Sequence, residues 1–175
     1  AELAKDKKSA KAWRDLAATL KKNFPKLFWD PKKKRMADRV REDNSQDFKV
    51  RPNQLMLVSV PLDGPFVDEA IEEKVVQNAI GELLYPHGIG SLSQNDPYFH
   101  PVHHNDEMHH FDAPYHNGIV WGRNAGVAVT AMCRHGQTEL AWKLAQNLAD
   151  QILNLGCRGA MSELVDAYPD KVFPA

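Results

Sequence analysis

Few cysteines, almost no net charge and no long apolar stretch: the chain is bounded first by what it lacks. Its two cysteines, Cys133 and Cys157, fit neither a paired framework nor a Cys-x-x-Cys motif. They read as buried thiols in a reducing compartment, and the chain as cytoplasmic. A formal charge of −1 offers no global attraction to nucleic acid or to an anionic membrane. No apolar run approaches the roughly 18 residues of a membrane span. The lysine-rich stretch from Ala1 to Lys11 has no apolar centre, so it does not read as a signal peptide. No Gly-x-Ser-x-Gly elbow occurs. His87-Gly88-Ile89-Gly90-Ser91 lacks the third glycine, the preceding strand and the following helix of a phosphate loop. Cys133 lies near His135 without a third, orienting group, which argues against a thiol nucleophile.

What is present suits one globular domain. The 175 residues are enough for a sizeable core. Trp13, Leu16, Ala17, Leu20 and Phe24 repeat at helical spacing, predicting an amphipathic helix over Ser9 to Phe24 that Pro25 ends. The basic run Pro31-Lys32-Lys33-Lys34-Arg35 is soon followed by Glu42 and Asp43 and reads as a solvated loop. Gln54 to Val60, between Pro52 and Pro61, would pass for a short buried strand on local evidence. Ile71, Val75, Ala79 and Leu83 predict a helix over Phe66 to Leu84, stopped by Pro86 and Gly88. Gly90 to Pro114 shows no regular pattern, and loops that long are usually functional or disordered. Ile119 to Arg134, rich in small residues, predicts a closely packed helix. The clearest helix spans Gln137 to Leu155, with Leu140, Leu144, Leu148 and Ile152 in four-residue steps and Gly156 as its left-handed cap. No tandem repeat is visible. The expected class is all-α, with long loops gathered on one side.

Two clusters carry chemistry. His100, His103, His104, His109, His110 and His116 place six of the eight histidines within 17 residues, beside Asp106, Glu107 and Asp112. Imidazoles with carboxylates can ligate a divalent ion. However, none of these pairs falls on a predicted helix, and adjacent His-His pairs do not easily face one ion. Loop histidines, one or two of them touching substrate, are the expected reading; no metal or other cofactor is assigned. The second cluster, Phe111 to Trp121, joins a carboxylate, a phenol, an imidazole, an amide and an indole. Those groups grip sugars, with aromatic faces for the C–H side of the ring and polar tips for hydroxyls. Ser162-Glu163-Leu164-Val165-Asp166 adds carboxylates past the last helix. Read locally, Glu163 is as well a surface glutamate, Asp112 a turn residue, and Tyr115 and Trp121 core aromatics.

The order of segments adds a resemblance. Arg51-Pro-Asn-Gln54, Ser59-Val-Pro61, Leu83-Leu-Tyr-Pro-His-Gly-Ile-Gly-Ser-Leu-Ser93, Asp112-Ala-Pro-Tyr-His-Asn-Gly-Ile-Val-Trp121 and Met161-Ser-Glu-Leu-Val-Asp166 together resemble the C-terminal half of the glycogen-debranching amylo-α-1,6-glucosidase family. The likeness runs from about Phe28 to Asp166. It implies an (α/α)6 toroid of helical hairpins, here a single partial domain over residues 1–175 with the closing helix missing. Gln54 to Val60 becomes the start of an inner helix. Glu163 takes the place of the catalytic base, Asp112, Tyr115, His116 and Trp121 line the glucose pocket, and Arg51 and Gln54 stand at its mouth. Phe111 departs from the arginine usual before the pocket aspartate. The implied reaction is inverting hydrolysis of an α-1,6 branch, with two carboxyl groups roughly 6.5–9.5 Å apart. The general acid is expected upstream, so the chain alone is expected to be inactive. The implied partners are glycogen or an α-glucan oligosaccharide, not nucleic acid or membrane, and the open flank of a half-toroid suits pairing. The rivals are a non-catalytic carbohydrate- or protein-binding module and a divalent-metal protein using the His100–His116 loop.

Overall fold

The computed structural model describes residues 3–60, 64–103, 110 and 112–167. His104, Asp106, Glu107, His109 and Phe111 lie outside them. Five α-helices stand among the described residues: α1 (Lys7–Phe28), α2 (Met56–Ser59), α3 (Glu69–Leu83), α4 (Ala125–Arg134) and α5 (Thr138–Asn154). The helical expectation holds for the core. The all-α expectation does not, because eight short strands accompany the helices.

β1 (Trp29–Asp30) pairs with β2 (Arg35–Met36), and β3 (Arg39–Val40) with β4 (Gln46–Asp47), both antiparallel. A four-stranded antiparallel sheet follows the order β5 (Leu84–Tyr85), β6 (Gly88–Gly90), β7 (Val120–Trp121) and β8 (Leu164–Val165). Strands of two or three residues are too short for period-two alternation to show, so their sequences pass for loop or helix. Thus β7 takes the first residues of the helix expected over Ile119 to Arg134, and Pro86 and His87 turn a tight β5–β6 hairpin.

The core forms where α2, α3, α4 and α5 meet around Val58, Val75, Val76, Leu83, Met132 and Leu144, all at most 2 % exposed. The small residues Ala125, Ala128 and Ala131 let α4 pack closely. Polar ties join the same elements. The buried pair His135–Glu72 spans 3.4 Å between the end of α4 and α3. Arg134 donates to the Val58 carbonyl of α2. Glu82 accepts from Arg35 and from the Ser93 hydroxyl, both at 2.5 Å. Gln54 to Ser59 is helical, as the resemblance implied and local reading did not: a 3-10 turn over Pro52–Leu55 runs into α2, and Val60 is extended. Gly156 adopts φ +65°, the left-handed position expected after α5.

Two sequence expectations are corrected. Pro25 lies inside α1 rather than ending it; the helix continues to Phe28, where the Trp29 N–H closes on the Pro25 carbonyl. Proline removes one intrahelical donor, and the helix tolerates the loss. Cys133 and Cys157 are exposed rather than buried. α4 buries Ala128, Ala131 and Met132, which turns Cys133 outward, and Cys157 lies in the loop after α5.

Helix α1 starts well, since the Asp6 side chain accepts the Ser9 N–H at 3.0 Å. Yet it buries only Ala10, and its apolar stripe of Trp13, Leu16, Leu20 and Leu27 is about half or more exposed.

A smaller cluster of Tyr85, Val120 and Ala167, with Phe99 and Val165 against it, closes the sheet. The Tyr85 hydroxyl is buried without a hydrogen-bond partner among the described residues, and burial pushes its pKa up to about 12. A buried, unsatisfied donor costs about 1–3 kcal/mol. Tyr85→Phe is therefore expected to be neutral or to stabilise by up to about 1 kcal/mol in urea unfolding; a loss of similar size would show that the hydroxyl has a partner.

Candidate functional site

β7, the 3-10 turn before α4 and the Pro52–Leu55 turn enclose a cavity of about 420 Å³, lined by Arg51, Pro52, Asn53, Met56, Ser91, His116, Trp121, Arg123 and Asn124. The lining converges from three distant stretches of chain, and Arg51 fastens them. Its guanidinium donates to the Ser91 carbonyl at 2.9 Å, to the His116 carbonyl, and to Asn117 Oδ1 at 3.2 Å. Behind it, Asp38 lies 3.8 Å away and accepts from Asn53 Nδ2 at 2.6 Å. Burial raises the Asp38 pKa, against the opposing pull of Arg51.

The turn Ala113–His116 is a 3-10 helix. Its return is set by Gly118, whose φ is +152° and whose backbone lies against His100 in a parallel bridge. Ser91 Oγ accepts the Gly118 N–H at 2.9 Å, and the His100 N–H donates to the Asn117 carbonyl at 2.6 Å. Three aromatic rings then meet. Tyr115 stands edge-on to Trp121 at 4.7 Å, and His116 lies parallel to Trp121 at 5.9 Å. Trp121 Nε1 donates to the Tyr115 carbonyl at 2.9 Å, and the Arg123 guanidinium sits 4.2 Å from the indole centre. Only 3 % of Trp121 is exposed. The indole is thus a wall that orients His116 and Arg123, both exposed at the cavity.

Among the residues singled out by sequence, Arg51, His116 and Trp121 line the cavity and Tyr115 packs behind it. Asp112 is exposed at the start of the Ala113–His116 turn and is not in the lining. Gln54 faces another way: its amide donates to the Met36 and Lys49 carbonyls, both at 3.0 Å, and it borders a separate hollow of about 200 Å³. Glu163 is exposed one residue before β8 and does not line the 420 Å³ cavity. Its backbone is nonetheless close. Leu164 pairs with Trp121, so the same register sets Glu163 across from Gly122, where Met161 already packs: an added Cβ on Gly122 would meet Met161 Sδ at 3.0 Å.

Sequence reasoning missed Asn53, Met56, Ser91, Arg123 and Asn124. Asn53 lies inside the Arg-Pro-Asn-Gln element and Ser91 in the discarded glycine-rich stretch. Arg123 carried no signal, because its segment read as part of a closely packed helix rich in small residues. Pro101 and His103 are tied to the segment after β8: the His103 N–H donates to Asp166 Oδ1 at 2.9 Å, and the Ala167 N–H to the Pro101 carbonyl at 2.7 Å. Among the described residues no three His, Cys, Asp or Glu side chains gather as a metal ion requires, and no helix is long and apolar enough to cross a membrane.

By sequence the chain groups with the glycoside hydrolases. It belongs to the amylo-alpha-1,6-glucosidase family, whose model matches residues 1–173. No curated protein matches the chain.

Proposed function

We propose that this chain is a partial α-1,6-glucosidase domain of glycogen-debranching type, in which the cavity at Arg51, His116 and Trp121 receives the glucosyl unit and Glu163 is the base. The observation that supports this best is the convergence of those three residues on one hollow, with the Glu163 segment paired to β7 beside it. Tyr115 backs the Trp121 wall, Asp112 begins the turn that carries His116, and Gln54 braces the Pro52–Leu55 turn through the Met36 and Lys49 carbonyls. Glu163 would take a proton from water on one face of the sugar while a protonated carboxyl from the other half of the toroid, outside these residues, gives one to the leaving oxygen. The exposed stripe on α1 suits a surface that this other half, or another chain, covers.

In an assembled enzyme active on α-1,6-linked glucans, Glu163→Gln is expected to lower kcat by about 10³-fold or more with little change in KM, as loss of a proton-transfer group does. Near wild-type turnover in that variant would remove Glu163 as base. The 175-residue chain alone is expected to show no turnover on an α-1,6-linked glucan, and measurable release of glucose by it would contradict that half of the proposal.

A further inference from the structure

Reading a neutral sugar hydroxyl takes an acceptor for its proton as well as a donor for its oxygen. Donors are plentiful in the cavity wall, where the Arg51 and Arg123 side chains offer nothing else and no carboxylate is in the lining. Acceptors are scarcer. The Ser91 and His116 carbonyls already accept from Arg51, and Ser91 Oγ accepts from the Gly118 N–H. The side-chain acceptors of the lining not yet engaged are the His116 ring and the amides of Asn53 and Asn124. No hydrogen bond to a described residue fixes which end of the His116 ring or of the Asn124 amide meets a ligand.

Asn53 differs. Its Nδ2 donates to Asp38 Oδ1 at 2.6 Å, the one hydrogen bond of that side chain among the described residues. An ionised carboxylate can only accept, so the sense of the amide is set: the nitrogen goes to Asp38 and the oxygen is left over. Asp38 is itself anchored. Its N–H donates to the Asp47 carbonyl at 2.7 Å, and Arg51 Nε lies 3.8 Å from its other oxygen. Asn53 borders both the larger cavity and the smaller hollow, whereas Asp38 borders the hollow alone. The two ends of a planar amide point apart, so holding the nitrogen on the side of the hollow turns the oxygen toward the cavity. We infer that Asn53 Oδ1 accepts one hydroxyl of the glucosyl unit and helps set which sugar the cavity takes, with Asp38 as the positioning residue that aims it. On the reading of the cavity as a glucosyl site, on which this rests, that oxygen tells a sugar with the hydroxyl from one without it. Asn53 is exposed, so water replaces a missing partner and the discrimination is modest.

Calorimetric titration of the full chain with glucose and its 2-, 3-, 4- and 6-deoxy analogues tests it. At least one analogue is expected to bind about three- to tenfold more weakly than glucose. In Asn53→Ala, glucose should weaken by about the same factor, and one such analogue should not weaken at all. Retained binding of that analogue shows that the variant still builds the cavity, and a merely structural role would weaken every sugar alike. Asp38→Asn should narrow the ratio of glucose to that analogue, because an amide at that position can meet either end of the Asn53 amide. An Asn53→Ala chain that loses the same factor on all five sugars, or nothing on glucose, would overturn the inference and leave the sugar site standing. A full ratio in Asp38→Asn would remove Asp38 as the positioning residue. No binding of glucose by the unaltered chain would overturn the sugar reading itself, and the role of Asn53 with it.

Discussion

Gly118→Ala is expected to unfold the candidate site and to lower global stability by about 4 kcal/mol or more, a loss reached only by backbone or core disruption. Two effects combine. At φ +152° an L side chain is strained, and a methyl built there would land on the His100 backbone, on its carbonyl oxygen and within 2.8 Å of its carbon and 3.0 Å of its nitrogen. Neither segment can move alone, because Ser91 Oγ holds the Gly118 N–H and the His100 N–H holds the Asn117 carbonyl. Gly81 in α3 is the internal contrast. Nothing lies within 4 Å of its would-be Cβ, and Gly81→Ala is expected to stabilise by about 0.5–1 kcal/mol through helix propensity. Paired urea titrations measure both. A Gly118→Ala protein within about 1 kcal/mol of wild type would show that the His100 backbone yields to the methyl.

Arg51→Ala should have the second largest effect, a loss of about 2–3 kcal/mol, because the charge-assisted hydrogen bonds of a half-buried network go with it. It strips donors from the Ser91 and His116 carbonyls and from Asn117 Oδ1, and it removes the cation beside Asp38. Arg51→Lys should recover less than half of this, since one ammonium cannot span acceptors on two separate chain segments. The pH dependence carries a sign. Burial raises the Asp38 pKa in the folded state, opposed by Arg51, so Asp38 binds its proton more tightly folded than unfolded. Its contribution favours folding below the unfolded carboxylate range and is lost as pH rises through the higher folded pKa. Without Arg51 the shift grows, so the variant's deficit should widen from acid toward neutral pH. A deficit that narrows over that interval would contradict this account of Asp38.

How much of this was legible in the sequence depends on length of pattern. α3 and α5 were readable because Ile71 to Leu83 and Leu140 to Ile152 keep four-residue steps over several turns, and Gly156 marks the end of α5 with a conformation few other residues adopt. The sheet was not readable. Each strand contributes two or three residues, and its pairing depends on partners up to 45 positions away, as between Val120 in β7 and Val165 in β8. The end of α1 was misjudged because a rule about proline in helix interiors carries a cost, not a prohibition, and the Trp29 cap meets it. At the site, Arg51 and His116 stood within recognisable elements. Arg123 did not, because its importance comes from where an indole lies beneath it, which no local pattern encodes. Gln54 illustrates the converse: adjacency to Arg51 in sequence put it near the site, while its amide was committed to two core carbonyls.

The four indoles sit in sharply different surroundings, with Trp13 and Trp142 each 66 % exposed and Trp121 at 3 %. Emission from the two outer rings should be red-edged and readily quenched by iodide, whereas Trp121 is shielded and touches a cation. Occupancy of the hollow should therefore register at the blue edge of the spectrum while the red edge stays still, which gives this chain a built-in optical gauge of its own binding without any attached dye.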